Sequence, residues 1–334
     1  GYGACGVSLF VILSGFIMIY SYYDKKLDSS VKGLISFALK KIRKLYLLHI
    51  IMTLFALLLL VFMYIDNFSW DFLKCRLGEM LLNILLIQDW FPNASVYFSM
   101  NAVAWYLSLC LFLYLSFPLV LKFIRKIGSI KYAIIISCLI YCLQCFIGFI
   151  LQNCTEVSSL IDNFSKWIVY ICPLFRLGDF MIGACWGYIF INAKKKINIF
   201  LASLIEIFIV LLIPIIQYVF DNQVGILGGE SFRYNMLYTC LSVSIIYMFA
   251  INKGIISKSV SCKFLLYIGN ISPYAFLIHQ IVIRYIEFFN NQIDLYIKTI
   301  LALILTIVFS EIYKIMETIW INSKFRIYVK ESIR

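Results

Sequence analysis

Apolar runs of about 20 residues, separated by short charged or turn-forming connections, recur along the whole chain. That is the length an α-helix needs to cross the hydrocarbon of a bilayer. Nine runs are predicted as membrane spans, at about 7–23, 45–64, 103–121, 131–151, 168–191, 199–220, 236–252, 270–289 and 296–320. A transmembrane β-barrel would instead show short alternating segments, and the chain has none. A tenth stretch, RLGEMLLNILLIQDW at 76–90, is too short for a span and holds Glu79, Asn83, Gln88 and Asp89. It reads as an interfacial or re-entrant helix, with Trp90, Phe91 and Pro92 at the membrane surface.

Basic residues test this topology independently of hydropathy. The connection at 24–44 carries seven Lys and Arg and that at 65–102 carries two, and rich and poor connections go on alternating along the chain. By the positive-inside rule the rich connections are cytoplasmic, which puts Gly1 outside and the C-terminus inside. A full span at 76–90 would destroy the alternation. An extracytoplasmic start without Met, followed at once by an inward span, predicts one further span upstream and ten in the intact parent. The fold class is therefore all-α, a polytopic transmembrane helix bundle.

Composition agrees. Of 334 residues, 63% are hydrophobic and 14% charged, far from the rough half and quarter of soluble globular proteins. The net charge of +12 would suggest nucleic acid in a soluble protein, but here the cations lie between spans, where orientation signals belong. No nucleic-acid partner is expected. Most of the eleven cysteines sit in apolar runs, where Cys behaves as a small hydrophobe. Cys142 and Cys145 form a CxxC within a span, without a second Cys or His pair, so no metal is expected. Without a linker, low-complexity stretch or repeat, residues 1–334 read as a single membrane-embedded domain.

Ionisable groups at membrane depth are costly and serve as functional hypotheses. Arg176 and Asp179, at i,i+3 in CPLFRLGDFMIGACWG, share one helix face and are predicted to pair. Such a pair either holds the bundle together or shapes a polar centre. His279, in GNISPYAFLIHQIVIRY, lies near the middle of its span beside Gln280, with Ser272-Pro273 marking a helix start or break. Imidazole is the side chain suited to take a proton from a hydroxyl near neutral pH, although a buried His donating to a neighbouring helix fits equally. Arg284 with Glu287, and Glu311 with Lys314 and Glu317, read as pairs near the membrane boundary, and His49 as interfacial. Glu206 is a further acid within a span. The basic KKIRKLY at 40–46 sets orientation or binds phosphate, with Arg43 able to grip it bidentately.

Five stretches taken in order resemble the acyltransferase 3 family of integral-membrane O-acyltransferases. They are GVSLFVILSGF at 6–16, KKIRKLY at 40–46, NAVAWYLSLCLFLYLSFPLV at 101–120, FRLGDFMIGACWG at 175–187 and SPYAFLIHQIVI at 272–283. The resemblance implies a bundle of about ten helices whose first span, bearing a basic residue and a catalytic His, is absent here. It also implies transfer of an acyl group, most often acetyl from acetyl-CoA, to a sugar hydroxyl at a bacterial cell surface. On that footing Lys40 and Arg43 bind the donor, and Ser14 and Gly15 either pack helices or line a passage for its slim arm. Arg176 and Asp179 shape the polar centre, His279 is the remaining candidate for proton transfer after the absent upstream His, and Trp105 stacks on the glycan acceptor or anchors in the interfacial belt. The implied location is the bacterial plasma membrane, with membrane lipid as a partner. A transporter or flippase for a glycan or small anion is the competing class.

Overall fold

The computed structural model describes residues 2–65, 69–153, 164–194, 196–221, 237–290 and 292–331, and its described elements are helical. In order they are α1 (Tyr2–Tyr22), α2 (Val31–Met63), α3 (Trp70–Leu85), the one-turn α4 (Ala94–Tyr97), α5 (Trp105–Lys126), α6 (Ile130–Asn153), α7 (Pro173–Asn192), α8 (Ile199–Asp221), α9 (Leu237–Ile251), the short α10 (Ile255–Val260), α11 (Lys263–Phe289) and α12 (Leu295–Glu331). Among the described residues, eight helices are long and apolar enough to cross a membrane. The ninth predicted span is represented by the 15-residue α9. The protein is a multi-pass membrane helix bundle.

The chain divides into two compact units. The first comprises Gly1–Lys41, Leu86–Tyr97 and Tyr106–Cys262, and the second Ile42–Leu85, Phe98–Trp105 and Lys263–Arg334.

In the first unit, α1 and α7 touch backbone to backbone. A Cβ added at Gly183 would overlap the Ile12 carbonyl, and one at Gly15 would overlap the Phe180 carbonyl. In a bilayer, where lipid tails are as apolar as Leu, small residues supply association through such close van der Waals approach. Aromatic side chains fill the space around this contact, with Phe16 and Phe190 at 5.2 Å and Phe37 stacked on Phe117 at 5.5 Å between ring centres. Arg125 closes the C-terminal end of α1 by donating to the carbonyls of Tyr23 and Lys25, groups with no intrahelical partner. Glu206, fully buried on α8, accepts the amides of Gly254 (3.2 Å) and Ser257 (3.0 Å). This span acid is therefore a backbone cap that starts α10.

The second unit is built on α2, α3, α11 and α12. Helix α3 is turned inside out relative to a soluble amphipathic helix. Leu77, Leu81 and Leu85 are 47%, 56% and 52% exposed, whereas Glu79 and Asn83 are buried. That polarity suits a helix lying against lipid, as predicted for this stretch, although the helix ends at Leu85 and residues 86–90 form a separate turn. Helix α11 corrects one expectation, because it runs unbroken through Ser272-Pro273. Pro273 has no N–H for the carbonyl four residues earlier. The Ser272 hydroxyl supplies the missing donor, reaching Gly269 O at 2.9 Å.

Candidate functional site

The first unit encloses a fully buried ion pair. Before α7 the chain makes a wide turn over Trp167–Ile171, in which the Cys172 amide reaches back to Trp167 O at 2.8 Å. This frees the Tyr170 carbonyl to accept from Arg176 Nε at 2.9 Å. Arg176 Nη1 lies 2.6 Å from Asp179 Oδ2 and also donates to Ser8 Oγ at 3.2 Å. Gln144 Nε2 donates to Asp179 Oδ1 at 3.2 Å and to Phe175 O at 3.0 Å. Both charged side chains are fully buried. The pair predicted from spacing thus exists, and α1, α6 and α7 all hold it. Arg176 Nη2 and Gln144 Oε1 have no partner among the described residues, so the centre keeps one free donor and one free acceptor.

Ser14 sits one residue before the Gly15 crossing, and its hydroxyl donates to Phe10 O at 2.8 Å. Gly15 packs α1 against the Phe180 carbonyl of α7. A second buried polar group of this unit lies in the turn that follows Leu86, whose φ of 54 starts the reversal. The Asp89 side chain is fully buried and bonded to Ser108 Oγ, which also reaches Leu86 O, while Trp167 Nε1 donates to Asp89 O at 2.9 Å. Burial pushes the Asp89 carboxyl up to about 7, against the Ser108 hydrogen bond that favours its ionised form. Ser108 carries a single proton. A protonated Asp89 that donates to Ser108, which donates to Leu86 O, gives both protons an acceptor and leaves Asp89 Oδ2 without a partner among the described residues. In the sequence Asp89 stands out only as one polar residue of a short stretch, because its partners Ser108 and Trp167 lie in distant segments.

In the second unit, the loop Phe98–Ala104 is tied along one face of α11. Asn101 Nδ2 donates to Leu277 O (2.8 Å), Val103 N to Gln280 Oε1 (3.0 Å) and Arg284 Nη1 to Met100 O (2.6 Å). Arg284 is therefore a loop anchor and does not pair with Glu287, which instead meets Lys298 at 2.8 Å. Likewise Lys314 approaches Glu311 at 3.6 Å, while Glu317 accepts from the Tyr274 hydroxyl. His279, half-buried, has Nδ1 3.1 Å from Ala275 O. A carbonyl only accepts, so Nδ1 is the donor in this contact.

His49 is corrected from interfacial to fully buried. Its Nε2 lies 2.9 Å from Asn83 O, its Nδ1 has no partner, and Asn83 Nδ2 continues to Ser99 Oγ at 2.8 Å. The polar side of α3 is what draws His49 inward, a complementarity that neither segment reveals alone. Trp105 is 4% exposed, so its ring is packed and not open to a sugar. Lys40 and Arg43 are both exposed on α2.

A buried ion pair enclosed by apolar spanning helices belongs to an integral-membrane helix bundle. The match to known proteins narrows the class: residues 2–312 match the family model described as an acyltransferase domain, and the chain belongs to that family. It is similar to Acyltransferase MdmB of Streptomyces mycarofaciens, at 30% identity over 129 residues. That match covers 37% of this chain and 30% of the relative, so the chain spans less than a third of that protein's length. No solved structure matches the chain.

Proposed function

We propose that the protein is a membrane-bound O-acyltransferase. It moves an acyl group, acetyl from acetyl-CoA, onto a hydroxyl of a cell-surface glycan or its lipid-linked precursor at the bacterial plasma membrane. The observation that carries this reading is family membership over residues 2–312. The transporter reading has no comparable support.

The residues fit defined roles. Exposed Lys40 and Arg43, on a helix end rich in further lysines, attract the phosphates of the donor from the cytoplasmic side. In the neutral form of His279 that donates from Nδ1 to the Ala275 carbonyl, Nε2 is the base. The acceptor oxygen forms its bond to the thioester carbonyl carbon while its proton moves to Nε2. The C–S bond then breaks, and the CoA thiolate leaves and takes that proton. Arg176 and Asp179 hold the charged centre of their own unit in place, with Nη2 as its free donor.

Membranes from cells expressing the complete gene should place label from acetyl-CoA into glycan, in an ester released by mild base. Label that stays in the donor or reaches only water contradicts this reading.

A further inference from the structure

The second unit contains a cavity of about 610 Å³ walled by α2, α11 and α12. Its lining extends along α11 from Ile278 to Phe289, with Asn290 just past the helix end, and along α12 from Leu301 to Met316. At 1.5 Å per residue those stretches measure about 18 Å and about 22 Å. The cavity is thus elongated along the helices, over more than half of the roughly 30 Å hydrocarbon thickness. Its walls are aliphatic and aromatic apart from Tyr285, Asn290 and Tyr313.

The polar atoms of that lining are already engaged. The Tyr285 hydroxyl donates to Phe55 O at 2.9 Å, and the Tyr313 hydroxyl bonds the backbone of Leu48. Asn290 Oδ1 accepts from the Gln292 amide at 3.1 Å. A water molecule needs two to four polar partners to occupy a site, and the interior of this cavity presents only the Tyr285 and Tyr313 oxygens, each already holding a partner. Only the exposed Asn290 end retains a donor, its Nδ2.

We propose that this cavity binds one long hydrocarbon chain of a membrane lipid, lying parallel to α11 and α12 with its polar end at Asn290. Its elongation matches a single extended chain, and its lack of free polar groups rejects a sugar, a nucleotide or water. Two lipids carry such a chain: a bilayer phospholipid, and a polyprenyl phosphate of the type that anchors lipid-linked glycans. The assignment does not depend on the protein's activity.

Lipid retained by the protein purified in mild detergent tests this, read by native mass spectrometry. Wild type should keep one lipid per chain. Ile281→Trp and Leu305→Trp, which fill the cavity from α11 and from α12, should each lower retention about tenfold at unchanged helical content. The two variants act from different helices, so failure of one to fold leaves the other as the test. Delipidated wild type is then offered phosphatidylglycerol and polyprenyl phosphate in competition. Preference for either supports the hydrocarbon-chain site and names its source. Wild type that holds no lipid, or equal retention in wild type and a folded variant, overturns it.

Discussion

Gly183 of α7 packs against the backbone carbonyl of Ile12 on α1 so closely that no side chain fits between them. One turn along, Gly187 meets Phe16, and from the other helix Gly15 meets Phe180. Of the Ser-Gly pair in the first span, Gly15 makes this contact, while the Ser14 hydroxyl bonds Phe10 O within its own helix. The contact brings Ser8, on the same helix, within hydrogen-bonding reach of Arg176.

Gly183→Val should therefore destabilise the protein by about 1–3 kcal/mol, the usual cost of overpacking. Gly6→Ala should do no harm, because nothing lies within 4 Å of a Cβ there, and it removes the entropy penalty of a helical glycine. Thermal unfolding in detergent checks both. Equal loss in the two variants would contradict the contact.

Arg176→Ala leaves Asp179 charged and fully buried, and should cost about 3–5 kcal/mol. The double variant Arg176→Met/Asp179→Leu should recover much of that loss, since it leaves no orphan charge. If the double variant is as unstable as the single one, the centre is not held by charge pairing. Activity lost in a double variant that folds normally would place the pair in the chemistry and not only in the scaffold.

Asp89 makes stability depend on pH. Its folded value, about 7, lies above its ordinary 3.8, so the folded state binds the proton more tightly than the unfolded chain does. Stability from this group is full below the ordinary value, falls as pH rises through about 7, and is flat beyond. Melting temperatures should decline between about pH 4 and pH 7 in wild type and level off above, and Asp89→Asn should reduce that decline and raise stability at the upper end. An unchanged slope in Asp89→Asn would assign the effect elsewhere.

Lys40→Ala and Arg43→Ala should raise KM for acyl-CoA several-fold with kcat nearly unchanged, because phosphate contacts bind donor equally in ground and transition states. Arg43→Lys should restore the charge but only part of the affinity, since Lys lacks the planar fork. Steady-state kinetics over a range of donor concentrations reads this split. A fall in kcat alone would remove both residues from donor binding.

The spans were legible in the sequence because run length and basic connections each report membrane crossing independently. The Arg176–Asp179 pair was legible too, since i,i+3 spacing within one helix fixes geometry locally. What escaped was anything decided between segments. His49 follows a basic cluster and reads as interfacial, yet the Asn83 carbonyl of α3 draws it fully inside. Arg284 has Glu287 three residues away but is taken by Met100 in a distant loop. Pro273 looks like a helix break, and only the Ser272 hydroxyl on Gly269 O shows how the helix continues. Trp105 sits where a belt or sugar-stacking residue would, and tertiary packing covers it.

The most direct test of the acyltransferase account follows base-labile label from acetyl-CoA into envelope glycan in membranes bearing the complete protein, wild type beside His279→Ala at equal insertion. The account expects label in wild type and a loss of about 10²–10⁴-fold in the variant. Membranes that bind or move a glycan without ever acylating it would contradict the account.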